Sequence, residues 1–336
     1  MSPWDWSWED PGTGKRTLPR PGSSKSPDPS PNDAGSPDGQ PPSGSPPGPE
    51  TRFRRRRITA ATVFVVVVLL LLVTLDSRGG GHHRTTTTRP RAATVARLTP
   101  AETHALDKAA EDKAIDSVMA YTPAVVQGGT KGNDVALTFD DGPGPYTTQL
   151  VATLNALHVQ ATFFAIGEEE RYFSAGTLAE LRSGDVIGDH TETHPMMASL
   201  SAHEQHNQLL EQIYRMQLLG APTPRLFRPP YGSFNATTLR QLHALHLLMI
   251  LWSTDTADYT RPGAPAIAQR ALAGAHPGAI ILLHDAGGDR SQTIAALPAI
   301  VKGLRRRGLR PVTIPRLLLD DPPPPGQPIP TSLSGG

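Results

Sequence analysis

The chain contains no cysteine. That absence excludes disulfides, thiolate metal sites and cysteine nucleophiles. It does not fix the compartment, because an exported domain needs no cysteine. Net charge is almost absent too: 32 Lys and Arg stand against 31 Asp and Glu, a balance of +1. No basic face dominates, which argues against a dedicated nucleic-acid binder. Aliphatic residues are nearly missing from residues 1–57, where Pro, Ser and Gly abound. Such a segment cannot bury enough apolar surface to offset its ordering entropy and is expected to be disordered. The Pro-rich end, residues 322–336, reads the same way. About 190 residues remain for a folded core, enough for one well-buried domain.

One long apolar run is present. Ile58 to Leu75 (ITAATVFVVVVLLLLVTL) holds 18 residues without a charge, just enough to cross a bilayer as a helix. Arg54 to Arg57 precede it directly, and the following DSRGGGHH offers no small-residue cleavage site. The run is longer than a signal-peptide core usually is, so an uncleaved signal anchor is expected. The positive-inside rule puts the arginines and residues 1–57 in the cytoplasm and the remainder outside. Arg78, Arg84, Arg89 and Arg91 on the other flank dilute that bias.

Residues 76–131 read as a linker and a stalk. The Gly-, Thr- and Arg-rich 76–97 is a tether, and 98–120 has helical composition. Thr99 is a plausible cap, with Pro100 at the first helical position and Glu102 three residues on. The helix is expected to be a stalk or an arm packed on the main domain.

From residue 132 to 321 strand-like and helix-like stretches alternate. The strand-like runs are 135–139, 161–166, 185–188, 225–227, 247–252, 279–284 and 310–314. They are short continuous apolar runs, which suits a parallel sheet covered on both faces. The expected fold is a (β/α) barrel, distorted or incomplete, with about seven parallel strands; an open doubly wound sheet is the alternative.

Polar clusters stand at the ends of these strands: TFDDGP (138–143), HTETHP (190–195), RPPYG (228–232), DTADY (255–259) and the pair His284-Asp285. In a parallel barrel all C-terminal strand ends open on one face, where active sites are built. Asp140 and Asp141 are adjacent carboxylates on a turn; one can bind a metal while the other stays free as a base. His190 and His194 are spaced i, i+4, and on one helical turn both imidazoles would lie on the same side. With one carboxylate they make a two-His, one-Asp set that leaves coordination positions open, the mark of a catalytic metal site. Arg228 precedes two prolines that hold the backbone extended, so its guanidinium could pair rigidly with a carboxylate. Trp252 reads equally as core packing or as one wall of a sugar-binding groove. Asp255 and Asp258 could be ordinary loop residues.

TFDDGP, HTETHP, RPPYG and the ILLHD around His284, in that order, resemble the carbohydrate esterase family 4 polysaccharide deacetylases, or NodB homology domain. The likeness covers about residues 132–316. It implies Asp140 as catalytic base and Asp141, His190 and His194 as ligands of a divalent metal, expected to be zinc, with cobalt or another divalent ion as alternatives. It implies that Arg228 orients the base, that the Tyr231 backbone N–H helps bind the oxyanion, that His284 is the general acid and that Asp255 orients His284. One departure stands out: the fourth motif usually ends in Trp, and here it ends in Tyr259.

The implied activity is N-deacetylation of an extracellular acetylated glycan. Chitooligosaccharide deacetylase and acetylxylan esterase are the enzymatic alternatives, and a tethered wall-binding protein the non-enzymatic one. A tether of about 20 residues reaches only about 25 Å by random-coil scaling, and a stalk helix over 98–120 would add about 30 Å. Polymer close to the membrane is therefore the expected substrate, with peptidoglycan ahead of chitin oligomers and acetylated xylan.

Overall fold

The computed structural model describes residues 99–329. The apolar run 58–75, the linker 76–97 and the tail 1–57 lie outside the described residues. Among the described residues no helix is long and apolar enough to cross a membrane.

Strand β2 (Asp134–Asp140) is buried along its whole length, so both of its faces must be covered. Its alternate residues divide between two cores. Val135, Leu137 and Phe139 point outward into a cluster with Leu150, Leu154, Ile267, Leu297 and Ile300. These come from helices α2 (Thr147–Ala156), α6 (Ala264–Gly274) and α7 (Ser291–Arg306). Burying each such side chain stabilises by about 1.5–3 kcal/mol. Ala136 points inward with Phe164, Leu248, Ile250, Ile280 and Leu282. Of the positions on this inner side, Asp134 at the start of β2 is taken up by an ion pair with Arg310 at 2.7 Å, while Thr138 and Asp140 make its C-terminal end polar.

The remaining strands are β1 (Ala124–Val125), β3 (Thr162–Ala165), β4 (Val186–Asp189), β5 (Leu226–Phe227), β6 (Leu248–Ile250), β7 (Thr254–Asp255), β8 (Ile280–His284) and β9 (Arg310–Val312). They pair in the order β1-β6-β5-β4-β3-β2-β8-β7, with β9 also on β2. Every pairing is parallel, as the apolar runs predict. The two short strands β1 and β7 were not legible as strands, since two residues carry no periodicity. β1 and β7 end the path without pairing to each other, so this is an incomplete (β/α) barrel.

The sheet is strongly curled. Arg228, just past β5, donates to Thr138 and Asp140 on β2, although β4 and β3 stand between them. Three flat inter-strand steps would span about 14 Å, beyond the reach of one side chain.

Of the two alternatives for the helix before the domain, a stalk or a packed arm, helix α1 (Pro100–Met119) takes the second. Its C-terminal half buries Ile115 and Val118 against Leu317 and Leu318 of α8 (Ile314–Asp320), so it does not lengthen the tether. The Pro-rich end is also not loose from residue 322 onward. Pro323 accepts from the Tyr121 hydroxyl at 2.7 Å, Gln327 accepts from Val126 N–H at 2.8 Å, and Ile329 packs on the β1–β6 cluster. A proline carbonyl, one glutamine and one isoleucine supply the contacts that the proline count conceals. Residues 330–336 lie outside the described residues.

Candidate active site

Strand register sets the first pair. β2 and β8 run side by side with Asp140 opposite His284, so the expected base and the expected acid are inward neighbours on adjacent strand ends. Asp140 is buried. Its Oδ1 accepts from Arg228 Nη1 at 2.7 Å, which leaves Oδ2 turned toward His190, 3.9 Å from Nε2.

Arg228 is wholly buried. A buried charge costs several kcal/mol, about, unless paired and hydrogen-bonded, and here it is both. Nη1 also donates to Thr138 Oγ1 at 2.8 Å, while Nε and Nη2 donate to the carbonyls of Ile250 and Leu251, each at 3.1 Å. The guanidinium carbon sits 4.2 Å above the Phe164 ring. Burial pulls the guanidinium below its ordinary pKa, and Asp140 opposes that pull. Trp252, buried in the inner cluster with Arg228 5.7 Å from its ring, is core packing.

Asp141, His190 and His194 bring one ligand atom each within 4.8 Å of one another. Asp141 Oδ1 lies 3.6 Å from His190 Nε2 and 3.1 Å from His194 Nε2. Each imidazole is held from behind: His190 Nδ1 by the Arg228 carbonyl at 2.7 Å and His194 Nδ1 by the Tyr231 hydroxyl at 3.1 Å. Such outer contacts fix the tautomer and aim Nε2 inward. Burial would push the Asp141 carboxyl up, but the His194 charge and hydrogen bonds from both histidines hold it well below the usual carboxylate range. Two imidazoles and one carboxylate, converging with other positions open, fit a catalytic divalent ion.

The two histidines do not share a helical turn, contrary to the i, i+4 reading. They lie on a loop in which Thr191 (φ 72°) and His194 (φ 58°) are left-handed. Thr191 Oγ1 accepts from the His194 N–H at 2.9 Å and closes the loop. Asp141 (φ 74°), Tyr231 (φ 57°) and Ala257 (φ 48°) are left-handed as well. Each such residue costs about 1–3 kcal/mol and persists only where its surroundings over-determine it. Their gathering on the loops of one barrel end marks that end as functional. Gly142 has a packing reason: a Cβ there would lie 2.1 Å from the buried Asp285 carboxylate.

His284, the expected acid, is held by Asp258 and not by Asp255. His284 Nδ1 donates to Asp258 Oδ1 at 2.7 Å, and the His284 N–H donates to Oδ2 at 2.9 Å. Thr293 Oγ1 donates to the same Oδ2 at 2.7 Å. Burial works against a charged imidazole, yet Asp258 raises the His284 pKa to about 9. Asp255 instead accepts from Ala257 N–H at 2.7 Å and from the Tyr259 hydroxyl at 3.2 Å. Register gives the reason: Asp255 pairs with Leu282, two residues short of His284. The turn after β7 carries the chain forward to Asp258. Tyr259 stands edge-on to His284, with ring centres 5.3 Å apart.

A buried aspartate held by an arginine, a histidine held by an aspartate and a three-residue cluster that could hold a metal gather at one end of a parallel barrel, an arrangement suited to hydrolytic acyl transfer. The chain belongs to the polysaccharide deacetylase family. The family profile matches residues 127–250. A peptidoglycan-N-acetylglucosamine deacetylase of Bacillus cereus is 36% identical over 187 residues, covering 55% of this chain and 87% of that protein. A chitooligosaccharide deacetylase of Sinorhizobium fredii is 36% identical, over 56% of this chain and 93% of that one. A solved peptidoglycan N-acetylglucosamine deacetylase superposes with a TM-score of 0.57 at 32% identity, covering 60% of this chain and 94% of that one. A family 4 pseudoenzyme from Bacillus anthracis scores almost as high, 0.56 at 29% identity over 59% of this chain and 69% of that one. Likeness of fold therefore does not decide catalysis, and the integrity of the site does.

Proposed function

We propose that the protein is a zinc-dependent hydrolase that removes N-acetyl groups from the N-acetylglucosamine units of peptidoglycan. The observation that carries this reading is the completeness of the site: the residues read as base, acid and metal ligands are all there, and each is already held by a partner. The relatives named for peptidoglycan support the choice of polymer.

Asp141, His190 and His194 would hold the divalent ion, which supplies Lewis-acid polarisation of the acetyl carbonyl and acidifies water. Asp140 takes a proton from the attacking water through its free Oδ2, while Arg228 keeps Oδ1 occupied. The new C–O bond forms as the carbonyl π electrons move onto oxygen, where the Tyr231 N–H donates to the oxyanion. The C–N bond then breaks and His284 gives its Nε2 proton to the departing amine, since an unprotonated amine is a poor leaving group. Acetate and a free amino sugar leave.

The substrate is tested with the full-length protein on peptidoglycan, chitooligosaccharides and acetylxylan, reading acetate and free amines with and without a chelator. Acetate with matching amines from peptidoglycan, abolished by the chelator and restored by zinc, is the expected result. Release from xylan alone would replace this reading with an esterase. Full release without metal would overturn the metal's part in it.

The same reading places the domain outside the cytoplasmic membrane, anchored by Ile58–Leu75 with residues 1–57 inside. Because α1 is docked, the tether is only the preceding linker, with a reach of about 25 Å. That length favours wall polymer next to the membrane. Protease added to intact spheroplasts is expected to remove the catalytic domain and spare the N-terminal segment; a protected domain would reverse the topology and remove the extracellular substrate.

A further inference from the structure

Glu192 lies between the two histidine ligands, and the reaction has no use for its carboxylate. The side chain is nonetheless only 3% exposed. Its Oε1 accepts from Arg215 Nε and Nη2, both at 3.1 Å, and from Arg171 Nη2 at 3.2 Å. Arg171 belongs to α3 (Gly167–Ser183) and Arg215 to α4 (Ala202–Leu218). One carboxylate of the ligand loop thus ties together two helices that flank it. Its other oxygen is pressed against the start of α3: a Cβ on Gly167 would lie 2.1 Å from Oε2.

The loop backbone is fixed by the same two helices. The first N–H groups of α3, on Gly167 and Glu168, donate to the carbonyls of Thr191 and Glu192 at 3.0 and 2.9 Å. Gln208 of α4 brackets Thr193, accepting from its N–H and donating to its hydroxyl, each at 2.9 Å. The left-handed residues Thr191 and His194 stand on either side of Glu192. A loop with two such residues relaxes unless something external holds it, and the ionic clamp is its one charged attachment to both helices among the described residues.

We propose that Glu192, Arg171 and Arg215 are positioning residues that set the separation of the His190 and His194 imidazoles, and through it the affinity for the divalent ion. The inference rests on the metal reading of Asp141, His190 and His194. Contacts behind the ligands of a metal site typically govern about 10–100-fold in metal affinity. Arg215 should matter more than Arg171, because it makes two bonds to the carboxylate and is 23% exposed, against one bond and 49%.

The test measures zinc affinity of the full-length, metal-stripped protein by competition with a chromophoric chelator, with His190→Ala as the baseline for binding elsewhere on the chain. Arg215→Ala is expected to weaken zinc about tenfold, Arg171→Ala less, and Glu192→Ala at least as much as Arg215→Ala. Glu192→Gln, which keeps a carbonyl acceptor, should retain most of the affinity. Adding Glu192→Ala to Arg215→Ala should cost less than the two single losses combined, because both remove one interaction. Activity of Arg215→Ala should return at saturating zinc. Arg310→Ala serves as the stability control, since it breaks the ion pair with Asp134 at the opposite end of β2. Wild-type binding with affinities of Arg215→Ala and Glu192→Ala within twofold of it would overturn the clamp. So would an Arg310→Ala variant that loses zinc as readily as Arg215→Ala. Failure of the wild type itself to exceed the His190→Ala baseline would overturn the metal reading, and the clamp with it. Arg215 is partly exposed, so its variant remains informative where Glu192→Ala fails to fold.

Discussion

Asp140→Asn is expected to lower kcat by roughly 100- to 10,000-fold, the usual contribution of a positioned general base, while the protein keeps its metal. The substitution is nearly isosteric. An amide oxygen can still accept from Arg228 Nη1, which the carboxylate meets at 2.7 Å. What disappears is the second oxygen's ability to take a proton. Asp140 is not among the three converging ligand groups, so bound metal, measured by elemental analysis, should be unchanged. Some stability is lost as well, because the buried Arg228 no longer faces a negative charge. Removing one partner of a buried pair outright costs about 3–5 kcal/mol, and the retained hydrogen bond should keep the loss below that. The decisive readings are kcat and metal content together. If metal leaves along with activity, Asp140 is a ligand and the base must be sought elsewhere.

Residues at strand ends could be brought together from the sequence pattern, whereas the roles of the loop residues Asp141 and Tyr231 came from the family motifs. Asp140 and His284 terminate apolar runs, and parallel pairing alone brings them side by side. Arg228 was legible because two prolines fix the backbone behind it. His190 and His194 were found for a mistaken geometric reason. Their spacing fits a helical turn, but a loop closed through left-handed Thr191 and His194 also brings the rings together, with centres 4.9 Å apart. The i, i+4 pattern cannot tell the two apart. The resemblance implied Asp255 rather than Asp258; telling the two apart needed the register of β7 on β8, which no local pattern encodes. The same blindness hid Thr293, which reaches Asp258 from 35 residues further along the chain. The C-terminal boundary failed differently. Proline content marks a segment that cannot form regular structure, and residues 322–329 have none, yet they are laid down on the domain by a few specific contacts.

His284 gives the other large effect, and its aspartate partner makes it separable from the base. His284→Ala should slow hydrolysis of the N-acetyl amide by roughly 100- to 10,000-fold. An activated acetyl ester should suffer far less, because its leaving group departs without a proton. Equal losses on both substrates would remove His284 from the acid's role. The pH profile carries the same assignment further. With its pKa raised from 6.5 to about 9, the imidazole is protonated across neutral pH, as an acid must be before it acts. The alkaline limb of kcat/KM should therefore fall no higher than about 9, and a cation in the neighbouring cluster pushes it lower. In Asp258→Asn the attraction that raises the pKa is gone while burial still disfavours the charge, so the limb should move toward lower pH. Stability follows the same sign. The protonated pair contributes fully below the ordinary histidine value and is lost as pH rises through the folded one. Wild type should thus lose more of its melting temperature between neutral pH and pH above 9 than Asp258→Asn does. Asp255→Asn, which leaves the Asp258–His284 bond intact, should leave the alkaline limb where it is. A limb that moves with Asp255 and not with Asp258 would return the orienting role to the strand end.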